Sequence, residues 1–199
     1  MRVCEDLLNE EERRILFSVI GETLYRVQVD QPLENKFGTN YVLEFKPGEL
    51  SGGKSEGISI SIDSKYSDFE GFLESYGSFE IADNLQGSVK AQQLRYSNFF
   101  ARGQRLKDVA VLTDTFTSSN EAGVNWKYST VAALVFSFES THLVLYKTWY
   151  KLELLDYMFV EGLDCIRDLR IFGDWEVDTV EESFDSKREM FSISEVFTT

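Results

Sequence analysis

The sequence predicts a mainly β protein with a few short α-helices, and three observations support this prediction. The chain of 199 residues contains sixteen Phe, nine Tyr and three Trp, and such flat side chains pack well across neighbouring strands. Two prolines, thirteen glycines and a hydrophobic content of 43% are typical of a chain that buries a core. The third observation is the longest apolar region, residues 131–160, which has the composition of paired strands.

This apolar region contains two runs, 131–138 and 143–150, that are rich in β-branched and aromatic residues. A polar break at 139–142 separates them, and two such runs across a short loop predict an antiparallel hairpin. Lys147 and Lys151 interrupt the region, so it lacks the apolar span of about 20 residues that a transmembrane helix needs. We therefore place this hairpin at the centre of the core.

A short pattern occurs twice in the chain. Gly21 and Gly103 each begin a segment of the form G-x-x-L-x-x-V-x-V, and two further apolar runs follow each of them. This order predicts a duplicated three-stranded unit, with copy one at about 21–63 and copy two at about 103–150. The alternative is that β proteins reuse such patterns without common ancestry.

Two such units could form a β-sandwich or one long curved antiparallel sheet. No linker rich in Pro, Gly or Ser separates the copies. We therefore expect residues 1–199 to form a single domain.

Local signals before the first copy predict a helix. Asn9 precedes three glutamates, and Asn9 with Glu12 has the spacing of a capping box. Gly21 stands where a glycine would end that helix. A strand over 15–20 is the competing interpretation.

Four later stretches carry weaker signals. Residues 66–81 interleave aromatics with acids, which predicts either a broken strand pair or an exposed loop, and 113–125 has the composition of a polar loop. Residues 149–160 fit a strand or a helix, and the apolar spacing over 163–169 predicts a short helix. Residues 191–197 are predicted as a last edge strand, which could support a homo-oligomer by strand pairing.

The charge of the chain limits its partners. Thirty-four acids oppose twenty bases, a formal net charge of −14. Such a field repels nucleic-acid phosphates and anionic membrane surfaces, and it attracts a basic protein. The alternative is that the acids serve solubility alone.

Cys4 and Cys165 stand far apart and form no CxxC pair, so we expect reduced thiols. The N-terminus has no apolar segment of the kind a signal peptide carries. Both features predict a cytoplasmic protein without a membrane anchor.

One stretch fits the pattern of a nucleotide-binding P-loop, G-x-x-x-x-G-K-[ST]. Its fixed positions are Gly48, Gly53, Lys54 and Ser55. A P-loop needs a helix directly after these residues, so that aligned N–H groups and the helix dipole hold the phosphates. The sequence that follows alternates Ile and Ser, which predicts a strand. Nucleotide binding is therefore kept as the alternative function.

No constellation for catalysis or for metal binding stands out. His142 is the single histidine, and it lies in the predicted hairpin turn. The chain contains no G-x-S-x-G elbow, no H-x-x-x-H pair, no cysteine cluster and no EF-hand loop. The sequence thus predicts no metal and no cofactor.

The remaining candidates are two stretches that mix acids with aromatics, the composition of a protein-binding hot spot. The alternative is that the aromatics point into the core and the acids keep the outer face wet. We expect a non-enzymatic protein-binding module, which in general character is similar to bacterial toxin-neutralising (immunity-type) proteins, several of which present acidic faces to basic toxins. The candidate partner-binding residues are Asp68, Phe69, Glu70, Phe72, Glu74, Tyr76, Asp174, Trp175, Glu176 and Asp178.

Overall fold

The structure is a computed structural model that describes residues 2–29, 37–38, 40–45, 56–69, 72–83, 96–98, 103–120, 123–147, 155–167 and 183–198. All structural statements below refer to these ranges. The strands are β1 (Arg2–Asp6), β2 (Leu24–Val29), β3 (Phe37–Gly38), β4 (Asn40–Phe45), β5 (Glu56–Phe69), β6 (Phe72–Asp83), β7 (Tyr96–Asn98), β8 (Asp108–Asn120), β9 (Gly123–Ser137), β10 (His142–Lys147), β11 (Leu155–Val160) and β12 (Ser183–Ser192). The helices are α1 (Glu10–Ser18), α2 (Asp164–Arg167) and α3 (Ile193–Thr198).

The strands form two sheets, which confirms the mainly β fold class. A seven-stranded sheet has the order β12-β8-β9-β10-β11-β3, and β1 also pairs with β9. A five-stranded sheet has the order β6-β5-β4-β2-β7. The β1–β9 pair is parallel, and the other pairs are antiparallel. One hydrophobic cluster joins both sheets, since it contains Leu43 and Ile60 of the smaller sheet and Leu134 and Leu145 of the larger one.

The predicted central hairpin is confirmed. Strands β9 and β10 pair in register, with Phe136 opposite Leu143 and Leu134 opposite Leu145. All four side chains are fully buried. The Phe138 amide closes the turn by donating to the carbonyl of Thr141 at 2.9 Å.

The two G-x-x-L segments pair with each other. The amides of Gly21 and Gly103 donate to the carbonyls of Leu106 and Leu24, at 2.7 and 2.8 Å. The amides of Leu106 and Leu24 donate to the carbonyls of Glu22 and Gln104, at 2.8 and 3.0 Å. Each bond in one segment thus has its counterpart in the other, as around a two-fold axis.

The same strand order follows each of these segments. In one sheet β2, β4, β5 and β6 form a meander, and β7 returns to pair with β2. In the other sheet β8, β9, β10 and β11 form a meander, and β12 returns to pair with β8. The shared order extends beyond the predicted copies at 21–63 and 103–150. A duplication as its origin stays a prediction.

Two predictions for individual elements were wrong. Residues 113–125 do not form a loop, because β8 continues to Asn120 and β9 begins at Gly123. Their polar side chains cover one face of strands that are paired along both edges, and threonine fits such a surface. Residues 191–197 do not form an edge strand either. Strand β12 ends at Ser192, whose hydroxyl accepts the amide of Ser194 at 3.1 Å, and α3 begins at Ile193.

Other local predictions agree with the structure. Helix α1 has the predicted capping box, with Asn9 accepting the Glu12 amide at 2.9 Å and Glu12 accepting the Asn9 amide at 2.8 Å. Residues 66–81 fall on the hairpin of β5 and β6, and a short helix, α2, occurs in 163–169. Of the ambiguous stretch, Leu155–Val160 is strand β11. No helix in the described ranges is long and apolar enough to span a membrane.

Candidate functional site

Four strands lie side by side at one end of the larger sheet, in the order β12, β8, β9, β1. Successive side chains of a strand point to opposite faces, so every second residue belongs to the same face. The register places Lys187, Thr115, Ser129 and Glu5 in one row across the four strands. We name the surface that contains this row the β1 face. Its members are Val3, Glu5 and Leu7, then Lys127, Ser129 and Val131, then Thr113, Thr115 and Thr117, and finally Asp185, Lys187 and Glu189.

The intervening residues of these strands point to the other side and are buried. Trp126, Tyr128 and Thr130 of β9 are 8%, 3% and 0% exposed, and Asp114 of β8 is buried as well. On the β1 face the charged residues of β1 and β12 are exposed, whereas Ser129 and Val131 of β9 are 5% and 1% exposed.

A groove of about 570 Å³ lies on the β1 face, and Leu8 and Arg13 of the α1 region contribute to its lining. Its floor carries hydroxyls, with Thr115 Oγ1 and Ser129 Oγ hydrogen-bonded at 3.0 Å. Its lining also includes Leu7 and Met190, although Met190 alternates with Glu189 and belongs to the opposite side of β12. The volume lies in the range of small-molecule and peptide sites.

The charges on the β1 face are balanced. Its acids are Asp185, Glu189 and Glu5, and its bases are Lys187, Lys127 and, from α1, Arg13. Lys187 and Glu189 form an exposed ion pair at 2.7 Å, and exposed pairs of this kind contribute little to stability. In the described ranges Glu5 and Lys127 make no ion pair. This face is therefore not the acid-dominated surface that the net charge of the chain predicts.

A buried cluster holds β1 in place. Strands β1 and β10 lie end to end along the same edge of β9, β1 beside residues 126–130 and β10 beside 133–137. At their junction Lys147 Nζ donates to Asp6 Oδ2 at 2.9 Å and to Thr130 Oγ1 at 2.8 Å. Thr130 Oγ1 and Ser78 Oγ donate to the two oxygens of Asp6. Because Ser78 belongs to β6, the cluster joins β1 to both sheets.

Burial and charge act on Lys147 in opposite directions. The side chain is 1% exposed, and this burial lowers the pKa of its ammonium, while the Asp6 carboxylate raises it. Two charges in a dry environment are tolerated when each is paired and hydrogen-bonded. Lys147 and Asp6 meet that condition, so the cluster is an anchor for β1. It is closed to solvent and offers no reactive amine.

The structure places the predicted partner-binding residues only in part. Asp68 and Phe69 end strand β5, and Phe72, Glu74 and Tyr76 belong to β6, so these five share one hairpin. Strand β4 pairs with β5 only as far as Ser61, and this part of the hairpin extends beyond it. The other predicted residues, Glu70, Asp174, Trp175, Glu176 and Asp178, lie outside the described ranges.

The P-loop-like residues Gly48, Gly53, Lys54 and Ser55 also lie outside the described ranges. The chain on either side of them is described. Strand β5 begins at Glu56 and pairs antiparallel with β4. A hairpin therefore surrounds this stretch, and the helix that P-loop chemistry requires does not follow it.

His142 is the first residue of β10, and its Nδ1 lies 2.9 Å from Ser137 Oγ. Burial lowers the pKa of its imidazole. A serine nucleophile also needs a group that orients the histidine, and the described residues provide no second hydrogen bond to this ring. The two residues are cross-strand neighbours of the hairpin, which explains their contact without catalysis.

Sequence reasoning missed the β1 face. Alternation was present in 113–117, where threonine occupies every second position, but the polar composition predicted a loop. No short sequence pattern links Asp6 with Lys147, so their pairing could not be predicted from the sequence.

Among the described residues, no group of three or more His, Cys, Asp or Glu side chains could hold a metal ion. Comparisons of the chain with protein-family models, curated proteins and solved structures found no match.

Proposed function

We propose that the protein is a non-enzymatic protein-binding module that holds its partner on the β1 face. The observation that carries the proposal is the exposure of two large apolar side chains there. Val3 is 50% exposed and Leu7 47%. Apolar anchors surrounded by polar and charged groups are the usual composition of an interface centre and its rim.

The net charge supports a basic partner. A field from −14 charges speeds the encounter with a positively charged protein. Because the charges of the β1 face are balanced, the contacting surface of the partner must carry acids and bases that match those of this face. Capture of a basic protein by an acidic one is also how an immunity-type protein would neutralise a toxin.

The proposal can be tested by capture from a host lysate at low salt. Leu7→Asp places a charge where we propose an apolar anchor, and loss of such an anchor typically costs about 2 kcal/mol, or roughly thirty-fold in Kd. Val124→Asp is the matched control, because Val124 is 43% exposed and outside the groove lining. We expect a basic protein that elutes when salt is raised, that V124D retains and that L7D loses.

The captured protein is then purified and titrated against all three forms, after their melting temperatures show that each is folded. Equal affinity for L7D and the original chain would refute the assignment of the β1 face. A partner of acidic character would refute the role of the net charge.

A further inference from the structure

The charges of the β1 face follow an order across its rows. The charges lie along two opposite sides of the face, which we name its rails. The first rail is β12, which carries Asp185, Lys187 and Glu189 at alternate positions. The opposite rail carries Lys127 on β9, Glu5 on β1 and Arg13 on α1. Asp185 and Lys127 share a row because both align with Thr117, and Lys187 and Glu5 share the next row through Thr115 and Ser129.

Each of these two rows therefore has one acid and one base, on opposite rails. In the third row Glu189 aligns with Thr113 and Val131, and the register gives that row no base. The rails are two or three strands apart, roughly 10 to 14 Å at a strand spacing of about 4.8 Å. That separation is too large for the two charged members of a row to pair within one chain, and Lys187 instead pairs with Glu189 along β12 at 2.7 Å.

We propose that the partner that fits this pattern is a second copy of the same chain, in a two-fold symmetric dimer. A two-fold axis parallel to the strands and lying between two β1 faces exchanges the rails while keeping the rows. Lys187 of each copy then lies over Glu5 of the other. Asp185 faces Lys127 in the same way, offset by about one strand spacing because Lys127 lies two strands from β12 and Glu5 three.

The arrangement agrees with known sheet packing. Two sheets pack face to face about 10 Å apart with their strands nearly aligned, and a two-fold interface must be self-complementary. A two-fold axis in the plane of the face but perpendicular to the strands would instead keep the rails and exchange the rows, which places Lys187 over Lys187 and Asp185 over Glu189. The order of the charges is therefore compatible with a two-fold dimer whose axis runs parallel to the strands. The exposed Val3 and Leu7 lie beside these charges and supply apolar contact.

The size of the face sets the strength of the dimer. Four strands and three rows cover on the order of 400 Å² per copy, which belongs to the class of weak and transient interfaces. The charge of −14 on each copy adds repulsion at low salt. We therefore expect a concentration-dependent dimer that is best observed near physiological salt, where the screening length is about 8 Å.

The dimer goes beyond the proposed function and does not depend on it. A basic partner that used the β1 face would compete with the second copy. The dimer would then be the form of the protein without that partner. Its test needs no other protein, so the two proposals can fail separately.

The experiment is sedimentation equilibrium of the full chain and of two charge-reversal variants, up to roughly 1 mM protein. Glu5→Lys and Lys187→Glu each turn two opposite-charge contacts into like-charge contacts, so we expect each to raise the dimer Kd at least about tenfold. An equimolar mixture of E5K and K187E restores both contacts and should form a mixed dimer of the original affinity. Glu139→Lys, an exposed acid in the hairpin turn, is the control for net charge and should leave dimerisation intact.

Several results would overturn the proposal. One is a chain that stays monomeric over the whole concentration range. Another is a dimer whose affinity E5K and K187E leave unchanged. The third is a loss in both variants that their mixture does not restore, because the loss would then come from something other than the Glu5–Lys187 contact.

Discussion

Lys147 shows how one residue changes the role of a strand position. In the smaller sheet Ile60 and Ile62 alternate along β5, and both are buried apolar residues. In the larger sheet Leu145 and Lys147 alternate along β10 in the same way, but the second position holds a cation that is 0% exposed. The difference follows from β1, because Asp6 at its end supplies the opposite charge that the cation needs.

Removing that cation should therefore be costly. We expect Lys147→Met to destabilise the fold by about 3–5 kcal/mol, because Asp6 would remain buried without a counter-charge. The double variant D6L/K147M should recover most of the loss, since two apolar side chains can replace a buried pair at little cost. Urea denaturation with a fitted midpoint and slope measures both.

Arg14→Met is the control for the Lys147 variants. Arg14 and Glu10 form a pair whose side chains are both 68% exposed, so its loss should cost less than about 1 kcal/mol. A double variant as unstable as K147M alone would show that Asp6 and Lys147 are not coupled.

At the scale of elements, the paired G-x-x-L segments connect the starts of the two sheets. Gly21 has φ 94° and Gly103 has φ 84°, values that residues with a Cβ rarely adopt. A Cβ at Gly103 would meet no atom within 4 Å, whereas one at Gly21 would lie 3.3 Å from Nη2 of Arg105. The guanidinium of Arg105 is held there, because its Nε donates to the Gly21 carbonyl at 2.6 Å.

The two glycines should therefore differ when replaced by alanine. Gly103→Ala adds backbone strain alone, on the order of 1–3 kcal/mol. Gly21→Ala adds the same strain and also disturbs the hydrogen bond from Arg105. It should therefore lower the free energy of unfolding by more than Gly103→Ala does. Thermal or urea unfolding of G21A, G103A and the double variant G21A/R105A measures the difference. Equal losses in G21A and G103A would show that the Arg105 contact contributes nothing.

The elements also show what the sequence could predict. Helix α1 and the β9–β10 hairpin were predictable, because a capping box and two apolar runs across a short turn are local signals. Strand β1 was not, since its five residues, RVCED, have no apolar periodicity and depend on β9 for their pairing. Residues 113–125 were misassigned as a loop because a strand with a polar face has the composition of a loop.

The candidate site was less predictable than the fold. Its rows combine β12, β8, β9 and β1, which come from both ends and the middle of the chain. Only the register shows that Glu5 and Lys187 share a row. The acidity of the chain follows from its composition, but the balanced charge of the β1 face depends on long-range pairing.

At the scale of the whole molecule, the two sheets share one core. The main hydrophobic cluster contains residues of α1, of both meanders and of α3. Leu43 in β4 and Leu134 in β9 both belong to it and are both 0% exposed. A core shared in this way predicts that the sheets unfold together as one cooperative unit.

That prediction can be tested with one substitution in each sheet. Leu43→Ala and Leu134→Ala should each cost about 2–5 kcal/mol, because each removes buried methyl groups from a close-packed site. Hydrogen exchange then reports the stability of each sheet separately, through the amides of Ile60 in β5 and Leu145 in β10. If the sheets form one unit, either substitution lowers the protection of both amides by the same free energy. Val124→Ala, at an exposed position, should lower neither, and a loss of protection confined to the substituted sheet would show that the chain folds as two independent domains.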